Sequence, residues 1–156
     1  VLASIVGPAV KGQIGSLDDL AGVRIMSEVA TLPSVLLMRH DNGALIDNTS
    51  HITPLKNLFK AMDAGKADAT LIGLHRFERY RFRNPQTKLR FAGYVSPLGF
   101  NLGYAALTSS KDLLEDVNRV LAEMSADGTL KEIAARNRMT LMAPQKPYVM
   151  GKLKLP

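Results

Sequence analysis

Short apolar runs alternate with amphipathic helical segments along most of this chain, and that alternation restricts the folds it can adopt. Residues 56–72, KNLFKAMDAGKADATLI, show the pattern: Leu58, Phe59 and Met62 form one helical face, Gly65 ends the helix, and an apolar strand follows. Strand–helix–strand alternation favours parallel strands, because each strand returns to the sheet through a helix. The sequence therefore predicts an α/β fold with a mostly parallel sheet flanked by helices.

The longest amphipathic pattern lies near the carboxyl end of the chain. Apolar residues recur every three or four positions from Leu113 to Met124, Asp127-Gly128 interrupts the pattern, and a second apolar face follows Thr129. We therefore predict two consecutive helices over residues 112–136. The other predicted elements are an extended connector over residues 1–10, a helix from Ser16 to Gly22, a strand over 23–26, a helix through 35–38 with Pro33 in its first turn, a strand starting at Leu45-Ile46, a helix opening at Thr53-Pro54, strands over 67–74, 89–95 and 102–107, and an extended tail from Thr140.

Composition is that of an ordinary globular domain. The 156 residues suffice for one packed core, and contents of 46% hydrophobic and 22% charged residues argue against global disorder. The longest apolar run, residues 29–38, is interrupted by polar residues and a proline and falls short of the ~20 residues of a membrane-spanning helix, so we expect no membrane insertion. The absence of cysteine excludes disulfides and thiolate sites. Because Val1 follows no methionine and no secretory signal is present, we interpret the chain as a processed product or an internal segment.

Positive charge is concentrated in one segment. The formal net charge is +6, and six cations and one acid, Glu78, fall between His75 and Arg90. Such a segment bears on partners and encounter rates, not on the fold. Aromatic residues are interleaved with these arginines, as in surfaces that stack bases, but Phe77 and Tyr80 have the helical spacing of core residues. We therefore predict no nucleic-acid partner.

Catalytic, metal and cofactor patterns are missing from the sequence. The three histidines have no serine or aspartate at a recognisable catalytic spacing, and no metal-binding pattern such as H-E-x-x-H occurs. The segment from Gly12 to Gly15 lacks the third glycine and the preceding strand of a nucleotide-binding loop. We expect no catalytic residues, no metal and no cofactor.

Three segments in the same order resemble bacterial extracellular solute-binding proteins of the amino-acid type, family 3, which are periplasmic partners of ABC importers. They are SLDDLAGVRIMS (16–27), the helix and strand over 56–72, and DLLEDVNRVLAEMSADGTLKEIAAR (112–136). In that family the ligand sits between two lobes. The resemblance implies a periplasmic location and the following division: a hinge or connector strand over 1–12, the second lobe over 13–98, a return hinge strand and C-terminal helices of the first lobe over 99–140, and an extended tail over 141–156. Most of the first lobe is absent from the sequence.

The resemblance also implies ligand contacts. In the family, small hydroxyl residues after the first strand hold the carboxylate of a bound amino acid, and the matching residues here are Ser27 and Thr31. Alternatively, one of them caps its own helix. The segment ADATLIG (67–73) matches a family strand, except that Gly73 stands where an acid pairs with the ligand's amino group. This departure indicates either a ligand that is not an ordinary amino acid or a protein without a transport role. Asp68, at the start of the same strand, is interpreted as a structural residue and not as a ligand contact.

Charged residues complete the predicted site. His75 and Arg76 follow the strand that ends at Gly73, where open α/β sheets bind ligands, and arginine suits carboxylate or phosphate. Glu28 belongs to the same predicted site, and it is the residue to test if the chain is an enzyme on this fold. An alternative for the arginines is a solvated helix face without a partner.

The resulting prediction is a non-enzymatic, periplasmic solute-binding protein fragment that binds a small polar, anionic ligand by two-lobe closure and works with an ABC permease. A degenerate accessory factor that docks on a periplasmic redox enzyme is the alternative, and an enzyme on the same fold is a further one. The missing first lobe leaves the apolar faces over 112–136 uncovered, so we expect them to pack against that lobe, a second copy, a companion fragment or a swapped element.

Overall fold

The structure, a computed structural model, describes residues 1–96 and 103–143. The chain divides into two compact units, Val1–Gly99 and Phe100–Pro156. The first unit is built on a five-stranded sheet, and the described part of the second contains two successive helices. No helix within the described residues is long and apolar enough to cross a membrane.

The sheet has four strands that run in one direction and one strand that runs in the other. The strands are β1 (Leu2–Val6), β2 (Ile25–Glu28), β3 (Thr49–Ile52), β4 (Ala69–Gly73) and β5 (Arg90–Val95). Their order is β3-β2-β4-β1-β5. Strand β2 is parallel to β3 and β4, whereas β1 is antiparallel to β4 and β5. The predicted α/β fold with a mostly parallel sheet flanked by helices is confirmed.

Helices connect these strands, and their ends follow local capping chemistry. In the first unit they are α1 (Leu32–Arg39), α2 (Leu58–Asp63) and α3 (Leu74–Arg83), with short 3-10 segments at Leu17–Leu20 and His40–Gly43. Ser16 caps the first 3-10 segment reciprocally with Asp19, as the sequence predicts for a helix start there. Thr31 caps α1, and Pro33 lies in its first turn, where a missing N–H costs little.

Both faces of the sheet are buried against apolar side chains. One cluster includes Leu20, Ile25, Leu37, Leu45 and Leu71, and the other includes Ile5, Met26, Phe59, Ile72 and Phe77. Strands β1 and β4 are buried along their whole length, as expected for interior strands covered on both faces.

Two predicted elements of the first unit are wrong in position. The strand expected at Leu45-Ile46 begins instead at Thr49, because Leu45 is a core residue, 1% exposed, within the turn that precedes the strand. The helix expected at Thr53-Pro54 begins at Leu58, because the Asn57 side chain accepts a hydrogen bond from the Lys60 N–H at 3.1 Å and caps the helix there.

The predicted connector over residues 1–10 is extended, and its residues 2–6 form an interior strand. Strand β1 pairs with β4 from Leu2↔Gly73 to Val6↔Ala69 and with β5 on its other side. A hinge role for residues 1–12 stays a prediction.

The described part of the second unit contains a 3-10 segment, Thr108–Ser110, and the helices α4 (Lys111–Ala126) and α5 (Thr129–Arg136). The predicted break is confirmed: Gly128 has φ 87°, a conformation that glycine adopts without strain, and Asp127 accepts a hydrogen bond from the Thr129 N–H at 2.8 Å. The strand predicted over 102–107 is wrong for residues 103–107, which have no paired strand within the described residues, and residue 102 lies outside them. The predicted tail also lies mostly outside the described residues, from 144 onward.

Candidate functional site

The carboxyl ends of the parallel strands define one edge of the sheet in the first unit. Glu28 ends β2, Ile52 ends β3, Gly73 ends β4 and Val95 ends β5, and the amino end of β1 lies at the same edge because Leu2 pairs with Gly73. In open α/β sheets, ligands bind outside this edge. Helices α1 and α3 start there, directly after β2 and β4 respectively.

A bidentate ion pair joins two of the predicted site residues. Glu28 is 5% exposed, and its two carboxylate oxygens accept hydrogen bonds from Nη1 and Nη2 of Arg76 at 2.6 and 2.8 Å. Such a paired geometry holds both groups firmly and satisfies a carboxylate that has little access to water. The hydrogen bonds to Glu28 raise the pKa of Arg76, and partial burial opposes that rise. Nearly half of the Arg76 side chain remains exposed.

An imidazole covers the end of β4. A Cβ atom placed on Gly73 would lie 2.8 Å from Cε1 and 3.2 Å from Nδ1 of His75, so the ring stands where a side chain at position 73 would begin. Partial burial lowers the pKa of His75 below its ordinary value, the charge of Arg76 lowers it further, and Glu78 opposes the shift. The lowered pKa favours the neutral form of the ring.

The two hydroxyl residues predicted to hold a carboxylate have different surroundings. Thr31 caps α1: its Oγ1 accepts from the Ser34 N–H at 3.4 Å and donates to the Glu28 carbonyl at 2.8 Å. Ser27 is fully buried, and its Oγ has no hydrogen-bond partner among the described residues. Of the two, Thr31 is therefore the residue that caps its own helix, and a ligand role for either remains a prediction.

A serine–histidine contact beside β2 was missed by the sequence analysis. Ser34 Oγ lies 3.4 Å from His51 Nε2, and His51 is the register partner of Ser27 in the parallel β2–β3 pairing. The two residues are 17 positions apart and lie on different elements, α1 and β3, that fold beside β2. No spacing motif in the sequence signals that contact.

Apolar side chains are exposed near the same edge. Val29 follows β2, Leu32 begins α1, and Leu55, which is 99% exposed, lies in the segment after β3.

Other charged residues singled out from the sequence have structural contacts. Asp68, at the opposite end of β4, accepts hydrogen bonds from Nε and Nη2 of Arg24 at 2.6 and 2.8 Å, which confirms its structural role. The Arg81 guanidinium lies 5.5 Å from the centre of the buried Phe77 ring, and Arg90 donates to the Val10 carbonyl at 3.0 Å. Within the described residues, no group of three His, Cys, Asp or Glu side chains is placed to hold a metal ion.

Comparison with known proteins gives matches at the level of structure. No protein-family model and no curated protein matches the sequence. The L-cystine solute receptor of Neisseria gonorrhoeae, in an unliganded open conformation, matches with a TM-score of 0.63 and 17% identity over 86% of this chain and 54% of its own. An amino-acid ABC transporter substrate-binding protein of Streptococcus pneumoniae, bound to L-arginine, matches with a TM-score of 0.61 and 20% identity over 88% of this chain and 56% of its own.

An enzyme on the same fold is also similar. An ancestral cyclohexadienyl dehydratase matches with a TM-score of 0.51 and 17% identity, over 88% of this chain and 56% of its own. At such identities the likeness shows the fold, which is periplasmic-binding-protein-like. The chain spans little more than half the length of these three solved chains.

Proposed function

We propose that this chain is the second lobe of a periplasmic solute-binding protein together with helices of the first lobe, and that it binds a small polar, anionic ligand. The observation that carries the proposal is the meeting of Glu28, His75 and Arg76 at the carboxyl edge of a sheet with this fold. Because structurally similar proteins bind solutes and the sequence has no recognised catalytic pattern, we propose that this chain binds a ligand without catalysing a reaction.

Arg76 supplies the main ligand contact in this proposal. A guanidinium carries five N–H groups, and Glu28 takes two of those in Arg76, so the exposed part of the side chain keeps donors for a ligand oxyanion. Thr31 contributes only if its hydroxyl proton turns away from the Glu28 carbonyl, which now accepts it. Ser27 contributes only if its buried hydroxyl becomes accessible.

Two-lobe closure is the proposed mechanism. A ligand that contacts both lobes stabilises the closed state by the difference in its affinity for the two states. The remaining contacts come from a first lobe, or from a second copy of this chain, and α4 exposes apolar residues, Leu113 and Val120, that could pack against such a partner. An ABC permease is the proposed downstream partner.

Thermal unfolding tests this function directly. We expect small dicarboxylates to raise the melting temperature of the purified chain. We expect Arg76→Lys to reduce that rise, because a lysine ammonium cannot pair with both Glu28 oxygens and also keep N–H groups free for the ligand. Arg83→Lys, an exposed position on the same helix, is the matched control. If no carboxylate, amino acid or sugar raises the melting temperature, the chain is not a solute-binding lobe.

An accessory factor that docks on a periplasmic redox enzyme is the second candidate. The observation that favours it is that the ring of His75 covers Gly73 while Arg76 occupies both oxygens of Glu28, so the edge is partly filled by its own side chains. This candidate predicts no response to any solute and copurification with a periplasmic dehydrogenase. An enzyme is less well supported, because both Glu28 oxygens already accept hydrogen bonds from Arg76. Unchanged turnover in Glu28→Gln would exclude Glu28 as its acid.

A further inference from the structure

We propose that His75 and Arg76 make this edge selective for small carboxylates that lack an ammonium group, so that its ligand is a carboxylic acid and not an amino acid. The inference rests on the proposed function and adds the class of ligand and the residues that choose it.

An ammonium ligand needs a carboxylate with which to pair. Among the described residues that end the strands at this edge, Glu28 alone carries a carboxylate. Arg76 occupies both of its oxygens at 2.6 and 2.8 Å, and the Glu28 side chain is 5% exposed. An ammonium ligand would have to displace a bidentate guanidinium to reach it, which makes its binding unfavourable.

The His75 ring occupies the space above Gly73, since a Cβ at position 73 would lie 2.8 Å from its Cε1. The group presented at the end of β4 is therefore an imidazole, and a side-chain carboxylate at position 73 is excluded while the ring keeps this position. A neutral imidazole has one N–H donor and one acceptor nitrogen, so it can donate to a carboxylate without adding a negative charge.

Two side chains at this edge, Arg76 and His75, remain available to a ligand. The partly exposed Arg76 keeps N–H groups that do not contact Glu28, and His75 is its immediate neighbour in the first turn of α3. Both groups attract an oxyanion, and Arg76 repels an ammonium. Charge and hydrogen bonding thus favour the same ligand class.

A titration with isosteric ligands tests this selectivity. Malate and aspartate differ by a hydroxyl in place of the ammonium group, and succinate has neither. We would add each to the 156-residue chain at constant ionic strength and follow the amide signals of residues 73–76 and the His75 ring by NMR, which detects millimolar affinities. We expect malate and succinate to bind at least tenfold more tightly than aspartate.

Variants separate selectivity from simple charge attraction. Gly73→Asp combined with His75→Ala removes the ring and supplies a free carboxylate, and we expect it to shift the preference toward aspartate by at least tenfold. Arg76→Lys should weaken succinate binding about fivefold, and Arg83→Lys should leave it unchanged. Amide dispersion in the NMR spectrum verifies that each variant is folded.

The outcomes distinguish this inference from the proposed function. Aspartate binding that equals or exceeds malate binding in the unaltered chain would overturn the selectivity while leaving a solute-binding function intact. No shift at residues 73–76 with any of the three ligands would overturn both.

Discussion

Tyr80 and Asp63 are joined by a hydrogen bond of 2.6 Å between the phenol and Oδ2 of the carboxylate. Asp63 ends α2 and Tyr80 lies on α3, so this bond ties the helix that carries His75 and Arg76 to its neighbour. The Tyr80 ring also stacks on Phe59 at a centroid distance of 4.8 Å. The position of α3 at the candidate site thus depends on contacts away from it.

Replacing Tyr80 by phenylalanine keeps the stacked ring and removes the hydrogen bond. We expect the free energy of unfolding, measured in urea, to fall by about 1–2 kcal/mol, because the bond is made to a charged group. Tyr94→Phe is the matched control, since the structure shows no hydrogen bond from that phenol among the described residues. Equal losses in both variants would show that the Asp63 bond does not stabilise the fold.

Alkaline titration should reveal the same contact. Burial, followed by the hydrogen bond to Asp63 and its charge, raises the pKa of Tyr80 from 10.0 to about 12. The folded chain therefore retains a proton that the unfolded chain loses, so this stabilising contribution is complete below pH 10 and is lost as the pH rises toward 12. We expect ultraviolet absorption to show one tyrosine that ionises late, and Tyr80→Phe to abolish that late step.

Acid should destabilise the first unit through His75. Because burial lowers the pKa of this imidazole below the model-peptide value of 6.5, the unfolded chain binds the proton first. The contribution of His75 to stability is present above about pH 6.5 and declines as the pH falls through the lowered value. Melting temperatures measured from pH 7.5 to 5 should fall less steeply in His75→Gln. An identical slope in the two proteins would contradict this expectation.

Leu45 and Leu55 make a matched pair for the core. Leu45 is 1% exposed and Leu55 is 99% exposed. We expect Leu45→Ala to lower the free energy of unfolding by about 2–5 kcal/mol through lost burial and a residual cavity. Leu55→Ala should change it by less than about 0.5 kcal/mol. Comparable effects would mean that the segment before β3 does not pack as described.

The start of α2 is tested by its cap. Asn57→Ala removes the side-chain acceptor for the Lys60 N–H and should cost about 1 kcal/mol. Thr53→Ala should cost much less, since the hydrogen bond made there uses the backbone carbonyl of Thr53 and survives the change. A larger effect at Thr53 would restore the helix start that the sequence predicts.

Local chemistry made several elements predictable from the sequence. The cap at Ser16, the proline in the first turn of α1 and the break at Gly128 each depend on a few neighbouring residues, and each is present in the structure. The strand start predicted at Leu45 was wrong, because an apolar residue that packs a turn against the core looks the same in the sequence as the first residue of a strand. A short apolar pair does not separate these two structures.

The sequence suggested residues for the candidate site but not how they pair. Position after a strand end pointed to His75 and Arg76, the family resemblance pointed to Gly73, and their role in ligand binding stays a prediction. The ion pair between Glu28 and Arg76 spans 48 positions, and it depends on β2 and β4 lying side by side. No local sequence pattern encodes the adjacency of β2 and β4, so the ion pair could not be predicted from the sequence.

The antiparallel β1 has a consequence for the order of folding. Strand β5 joins the sheet through β1, and β1 joins it through β4, although β1 precedes its two partners by about sixty to ninety residues. Pairings of such long sequence separation form slowly, because loop entropy must be lost before contacts reward it. During synthesis, β1 therefore cannot form these pairings until β4 has emerged. A chain that lost residues 2–6 would leave β5 with no place in the sheet.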